Sequence, residues 1–241
     1  MVPRLYRKLF HKFGAFYCQR ICKKEYESQK IEPNERLVEY RFVFQSLLRA
    51  CPSTILDVGT GVTSLPHLLK TCGFVVTAID NMRDYWGGDI LNRHYYLIDD
   101  DITNTKIAGK FDFITCVSTL EHIEKYDSAV KSMFNLLNPG GHLVMTFPYN
   151  ETQYIENVYK LPEAGFGKHV SYICRVYSRN ELNNWLKKSN GKIVDQEYWQ
   201  SYTGNFWTFG EKLCQARQVD KHEKHQLTCI LIKKQGEIKC G

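Results

Sequence analysis

The chain has 241 residues and a formal net charge of +6, from 32 lysine and arginine residues against 26 aspartate and glutamate residues. A hydrophobic fraction of 43% and a charged fraction of 24% are ordinary for a globular domain, and no run approaches the roughly 18 apolar residues of a membrane span. The basic N-terminus lacks the apolar core of a secretory signal, so we expect a cytoplasmic protein. The nine cysteines include no Cys-x-x-Cys pair, and we expect no bound metal.

Residues 1–50 are expected to form an N-terminal helical arm or cap. Apolar residues recur at helical spacing with basic residues between them, namely Leu5, Leu9, Phe13 and Phe16, which predicts a basic amphipathic helix. Residues 1–30 hold eight basic and two acidic residues, and so carry a charge of +6 themselves. We expect this helix to pack on its own domain as a cap. Contact with a membrane surface, a protein partner or nucleic acid is the alternative.

Residues 51–241 are expected to form one α/β domain. After a second helix that starts near Asn34, short apolar runs alternate with helical segments, and these runs are TILDV, FVVTAID, YYLID, FDFITCV and GHLVMTF. Two more strands are predicted near 192–198 and 227–233, after a helix near 178–188. Such alternation predicts a Rossmann-like, seven-stranded, mostly parallel sheet with helices on both faces.

A glycine-containing turn follows the first predicted strand. Gly59 and Gly61 follow Asp57, and glycine permits a tight turn and a close approach of the backbone to a ligand. Asp80 ends the second strand, where a carboxylate accepts hydrogen bonds from the two hydroxyls of a ribose. Together these residues predict an adenosine-type ligand, although each aspartate taken singly also fits a helix cap.

Two residues argue against a dinucleotide in this turn. Ser64 stands where a dinucleotide-binding turn has its third glycine, and Asp57 brings negative charge to the place of a pyrophosphate. A zwitterionic methionine tail suits the acidic turn better. A nicotinamide oxidoreductase is therefore an alternative and not our expectation.

Residues 37–150 resemble the class I S-adenosylmethionine-dependent methyltransferases, because these motifs occur in the same order as in that family. The stretch from Phe111 to His122 resembles the fourth-strand motif of that family, and residues 137–141 resemble its turn into the fifth strand. Thr63 departs from the glycine that many members carry. The resemblance implies S-adenosyl-L-methionine as the cofactor. Different residues of the site would then contact its methionine, ribose and adenine parts. The cofactor-binding residues that it implies are Asp57, Gly59, Gly61, Asp80, Asn81, Asp101, Ile102 and Val117.

Transfer of a methyl group to a hydroxyl needs a base, and we expect Glu121, His122 and His169 to be the catalytic residues. A histidine bonded to the backbone at a helix start, and a solvated loop histidine, are the respective alternatives for His122 and His169. Glu121 and His122 also resemble the pair with which small-RNA 2′-O-methyltransferases and ubiquinone-pathway O-methyltransferases hold a divalent ion. Ser118 stands where those families have another carboxylate, so we expect no metal here.

Two aromatic-rich segments, residues 149–177 and 198–209, are expected to overhang the carboxyl ends of the strands and to wall the acceptor site. The arrangement resembles small bacterial methyltransferases of surface-polysaccharide and glycolipid pathways. This implies O-methylation of a sugar or glycolipid-type acceptor, with a small-molecule or glycan partner rather than nucleic acid, and peripheral membrane contact through the arm. A small-RNA or small-molecule O-methyltransferase and a catalytically silent cofactor-binding subunit are the alternatives.

Overall fold

The computed structural model describes residues 4–28, 34–61, 63–81 and 95–236. Its helices are α1 (Arg4–Ser28), α2 (Arg36–Ala50), α3 (Leu65–Thr71), α4 (Tyr126–Leu136) and α5 (Arg179–Ser189). Its strands are β1 (Thr54–Val58), β2 (Val75–Asp80), β3 (Leu97–Asp99), β4 (Phe111–Val117), β5 (Leu137–Pro148), β6 (Gly191–Tyr202), β7 (Lys212–Val219) and β8 (Leu227–Lys234). None of the helices within these ranges is long and apolar enough to cross a membrane.

The strands form one sheet in the order β3-β2-β1-β4-β5-β8-β6-β7. The first five strands of this order pair in parallel, and the pairs β5–β8, β8–β6 and β6–β7 are antiparallel. The predicted Rossmann-like fold is confirmed, but the predicted count of seven strands is wrong. Strand β7 was not expected because its sequence, KLCQARQV, has no apolar run and it lies at an edge of the sheet.

Helices cover both faces of the sheet, as predicted. On one face, α2 and α3 pack on the sheet through residues that include Phe42, Leu47 and Leu65. On the other face, α4 and α5 do so through residues that include Met133 and Trp185. The parallel strands β1, β2 and β4 end at the same edge of the sheet. The loops that follow them therefore form one continuous surface.

Helix α1 does not form the expected cap. Every side chain of α1 that the structure describes is exposed, apart from the half-buried Ile21. The cap role falls to α2 instead, whose Phe42 and Val43 are fully buried. The predicted arm thus contains two helices with different surroundings; its residues 1–3 and 29–33 lie outside the described ranges.

Candidate active site

A cavity of about 1020 Å³ opens at the carboxyl ends of β1, β2 and β4. This is the edge of a doubly wound sheet at which ligands bind, and its volume suits a cofactor together with an acceptor. Many of the residues predicted from the sequence line it, namely Gly59, Gly61, Asp80, Asn81, Asp101, Ile102, Val117, Glu121 and His122. The fold therefore gathers residues from distant parts of the sequence around one space.

The turn after β1 depends on its two glycines for different reasons. Gly59 has a φ of 69°, and a β-carbon there would lie 2.0 Å from Cγ2 of Thr119, so a side chain would push against the loop after β4. Gly61 has a φ of 58°, and a β-carbon there would meet no atom within 4 Å. The open side of Gly61 faces the cavity that it lines, and a side chain would occupy space that a ligand needs.

Asp57 lies beneath this turn and not on the cavity wall. The residue is 2% exposed, and its carboxylate accepts hydrogen bonds from the hydroxyls of Thr60, at 2.8 Å, and Thr115, at 2.5 Å. Burial raises the pKa of this carboxyl to about 6, although the two hydroxyl donors act in the opposite direction. Asp57 therefore acts on the site through the Thr60 hydroxyl and by its charge, and not by lining the cavity as the resemblance implied.

Acidic residues at the end of β2 and after β3 also line this cavity. Asp80, at the end of β2, accepts a hydrogen bond from the backbone N–H of Gly61, which joins the ends of β1 and β2. Asp101 caps the short turn 102–104 by accepting from the N–H of Thr103 at 2.8 Å. Ile102 is 5% exposed and supplies an apolar surface beside these carboxylates.

His122 lies in a 3₁₀ turn, Leu120–His122, just after β4. Its Nδ1 is 2.6 Å from the carbonyl oxygen of Ile173. Because a carbonyl oxygen only accepts, Nδ1 carries the proton of this bond, and in the neutral imidazole the lone pair is on Nε2. The edge of the ring also contacts Tyr172, with 5.0 Å between centroids. These contacts fix the tautomer and the orientation of a potential base.

Glu121 is buried beside His122, with 3.9 Å between its Oε1 and Nε2 of the histidine. The residue is 3% exposed, and its Oε2 has no hydrogen-bond partner among the residues that the structure describes. Burial, reinforced by the nearby charge of Glu39, raises the pKa of this carboxyl to about 8. At neutral pH, Glu121 is therefore mainly an uncharged carboxylic acid on the cavity wall.

Aromatic residues from the two predicted segments form another part of the wall. Those that line the cavity are Tyr159, Phe166, Tyr172, Tyr202 and Trp207. Others from the same segments lie elsewhere; Tyr149 and Tyr177, for example, are fully buried in the core. Both segments thus reach the cavity, as expected, but only part of each faces it.

Comparison with known proteins identifies the kind of domain. A family model described as a methyltransferase domain matches residues 27–196, well over half of the chain. The chain belongs to this methyltransferase family. Among curated relatives, it is 29% identical over 155 residues to a ubiquinone biosynthesis O-methyltransferase of Coxiella burnetii, covering 58% of this chain and 64% of the relative. It is 27% identical over 157 residues to the mitochondrial enzyme of that description from Schizosaccharomyces pombe, covering 58% and 56%. The matches thus span less than two thirds of these relatives.

Solved structures agree on the fold. An S-adenosylmethionine-dependent methyltransferase from Clostridium acetobutylicum superposes with a TM-score of 0.54 at 17% identity, over 95% of this chain and all of that one. A 1,6-didemethyltoxoflavin-N1-methyltransferase from Burkholderia thailandensis, with bound 1,6-didemethyltoxoflavin and S-adenosylhomocysteine, superposes with a TM-score of 0.57 at 14% identity, over 93% of this chain and 90% of that one. The fold of this methyltransferase is therefore that of the S-adenosylmethionine-dependent enzymes.

The third predicted catalytic residue is not brought to the cavity. His169 is exposed in the loop between β5 and α5, and it does not line the cavity that Glu121 and His122 share. Within the described ranges, no three His, Cys, Asp or Glu side chains are grouped so as to hold a metal ion. Glu121 and His122 alone do not make a magnesium site, which needs more oxygen ligands. The described residues around Glu121 and His122 therefore do not fit a resident divalent ion.

A buried cluster under the cavity was missed by the sequence reasoning. Glu39 of α2 is fully buried and accepts hydrogen bonds from Ser118, at 2.5 Å, and from Thr146, at 2.6 Å. Its other oxygen accepts from Arg36 at 2.5 Å, and Arg36 lines the cavity. Ser118, with a φ of 43°, thus donates to a carboxylate from α2 that also forms an ion pair with Arg36. Nothing in the helical pattern of α2 signals the bonds to Ser118 and Thr146, because these two residues lie at least 79 positions away in the sequence.

Glu121 predicts how stability depends on pH. Because its folded pKa, about 8, lies above its ordinary value of 4.5, the folded state keeps a proton that the unfolded state releases. The contribution of this proton to the unfolding free energy is complete below pH 4.5, and it is lost progressively as the pH rises from 4.5 through 8. Between pH 5 and 7.5, the parent should lose roughly 3 kcal/mol of unfolding free energy relative to Glu121→Gln. Denaturant unfolding of both proteins at the two pH values measures this, and parallel curves would contradict the neutral carboxyl.

Proposed function

We propose that the chain transfers a methyl group from S-adenosylmethionine to a hydroxyl that is carried on a ring. The observation that supports this most directly is the fixed tautomer of His122, whose Nδ1 bond to Ile173 places the lone pair on Nε2. His122 lines the same cavity as the turn of Gly59 and Gly61. A hydroxyl acceptor must lose its proton during methyl transfer and so requires such a base, whereas a neutral amine attacks through its own lone pair.

The cofactor site is inferred from the fit of its residues. The open side of Gly61 provides a cradle, Asp80 and Asn81 provide polar groups for a ribose, and Ile102 provides an apolar surface for a base. Arg36 is a cation on the wall that suits the carboxylate of a methionine tail. When bound, S-adenosylmethionine supplies an electrophilic methyl group on a sulfonium.

The chain's own residues then orient the acceptor and take its proton. His122 receives the hydroxyl proton on Nε2 while Ile173 holds the ring in place through Nδ1. Glu121 lies 3.9 Å from Nε2, so a proton on the imidazole favours ionisation of the neutral carboxyl. When Glu121 then releases its own proton to the solvent in the cavity, the imidazolium and the carboxylate form an ion pair, and no lone positive charge is left in the site.

The acceptor that we propose is a sugar or a glycolipid-type molecule. Aromatic side chains such as Tyr159, Tyr172 and Trp207 offer flat apolar faces that stack on sugar rings. A second candidate is a small molecule of ubiquinone biosynthesis, which the similarity to ubiquinone biosynthesis O-methyltransferases favours. Both candidates present a ring-borne hydroxyl to the same base.

The acceptor is tested by incubating the purified protein and labelled S-adenosylmethionine with lysate fractions divided into glycan, lipid, RNA and protein. Label in the glycan or glycolipid fraction supports a sugar acceptor, and label in a quinone-containing lipid supports the second candidate. Label confined to RNA or protein would contradict the proposal. Binding of S-adenosylhomocysteine without label in any fraction would identify a catalytically silent subunit.

Turnover is expected to resist chelation. Because Glu39 is ion-paired with Arg36 and His169 does not line the cavity, excess EDTA should leave the rate within about twofold of its starting value. The rate is measured before and after chelation, and again after addition of magnesium. A rate that vanishes with EDTA and returns with magnesium would show that Glu121 and His122 hold an ion after all.

A further inference from the structure

Helix α1 presents an apolar face that the rest of the described chain leaves uncovered. Its large apolar side chains are each more than half exposed, and they are Leu5, Tyr6, Leu9, Phe10, Phe13, Phe16 and Tyr17. At about 100° per residue, these seven fall within an arc of about 140° on the helix surface. We call this arc the aromatic face. A contiguous exposed surface of this kind is unusual on a soluble monomer and marks an interaction site.

The opposite arc of α1 is basic. Arg4, Arg7, Lys8 and Lys12 fall within the other side of the helical wheel. Residues 1–30 carry a charge of +6, the same as the net charge of the whole chain. The charge of the helix therefore complements an anionic partner, and the rest of the chain is electrically balanced.

A second copy of the chain fits this surface poorly. The aromatic face extends over little more than three turns before Arg20 and Lys24 enter the same arc, which is short for a helix pair. Two copies would also bring equal positive charges together. A helix with aromatic residues on one side and lysine and arginine on the other is the type that lies in the plane of a lipid interface.

We propose that α1 binds an anionic lipid surface, with the aromatic face among the headgroups and the basic residues beside the lipid phosphates. This proposal does not rest on methyl transfer. It does bear on the cavity, because Asn34 lines the cavity and lies six residues after Ser28, the end of α1. The two residues are thus at most about 21 Å apart, and the cavity stays close to a surface on which α1 lies.

The test is flotation of the full chain with vesicles. We expect binding to vesicles that contain phosphatidylglycerol, binding at least about tenfold weaker to pure phosphatidylcholine, and loss of binding at high salt. Phe10→Gln with Phe13→Gln removes two side chains of the aromatic face without changing the charge, and should weaken binding at least about tenfold. Tyr96→Gln with Leu48→Gln is the matched control, since both residues are more than 80% exposed outside α1.

Circular dichroism of each variant checks that the helices are retained, as expected for substitutions of exposed side chains. Binding to neutral vesicles as tight as to anionic ones would overturn the proposal, and so would an intact chain that ignores anionic vesicles at low salt. Sedimentation that shows a dimer dependent on Phe10 and Phe13 would overturn it in favour of a second copy. None of these outcomes depends on catalysis, so the proposed function is tested separately.

Discussion

Replacing Asp80 with alanine is expected to weaken binding of S-adenosylmethionine at least about 30-fold, which corresponds to about 2 kcal/mol. Asp80 stands at the end of β2 on the cavity wall, where it also accepts the N–H of Gly61. The substitution removes the proposed acceptor for the ribose hydroxyls and also the acceptor for the N–H of Gly61. Calorimetric titration of the parent and the variant with S-adenosylhomocysteine measures the change.

Asp99→Asn is the control for this experiment. Asp99 is an exposed residue that stands opposite Asp80 in the register of strands β3 and β2. It does not line the cavity. It should therefore retain the parent's affinity. If Asp80→Ala binds within about a factor of two of the parent while its melting temperature is unchanged, the ribose assignment is wrong.

Replacing His122 with glutamine is expected to lower turnover between about 10²- and 10⁴-fold while cofactor affinity stays near that of the parent. A glutamine amide can still donate to the carbonyl of Ile173, but it has no basic lone pair for the acceptor proton. Single-turnover methyl transfer to an acceptor obtained from the labelled lysate fraction separates the chemical step from binding. His222→Gln, in an exposed turn before β8, is the matched control and should keep the full rate.

Two results would change this assignment. Full turnover in His122→Gln would remove the histidine from the mechanism. A comparable loss in His169→Gln would bring the loop histidine into it, which would require the loop to move toward the cavity. In either case, cofactor affinity measured in parallel distinguishes a chemical defect from a binding defect.

The parts of the fold that follow from local pattern were predictable. The runs at 54–58 and 111–117 are strands with the expected bounds, because a strand buried on both faces is apolar at nearly every position. Helix α5 starts after Ser178, whose side chain and that of Glu181 form a capping box, a signal that spans only four residues. The order of these motifs along the chain therefore predicts the edge of the sheet at which the cavity lies.

The parts that depend on distant contacts were not predictable. Glu39 reads as an ordinary polar residue of an amphipathic helix, and its buried bonds to Ser118 and Thr146 exist only because α2 packs against β4 and β5. Asp57 was expected on the cavity wall, but two threonine hydroxyls turn it inward. A periodic pattern also does not predict whether α1 packs on the domain. The same amphipathic helix can bury its apolar face in a protein core or at an interface with another molecule.

Strand β7 has a consequence for how the sheet behaves in concentrated solution. Without it, β6 would end the sheet and offer a long row of unpaired backbone groups, next to Tyr198 and Trp199, to any other strand. Strand β7 pairs with β6 and moves the open edge to a sequence in which most side chains are exposed and Lys212 and Arg217 are charged. Two such edges repel each other, so the extra strand guards the methyltransferase against edge-to-edge aggregation.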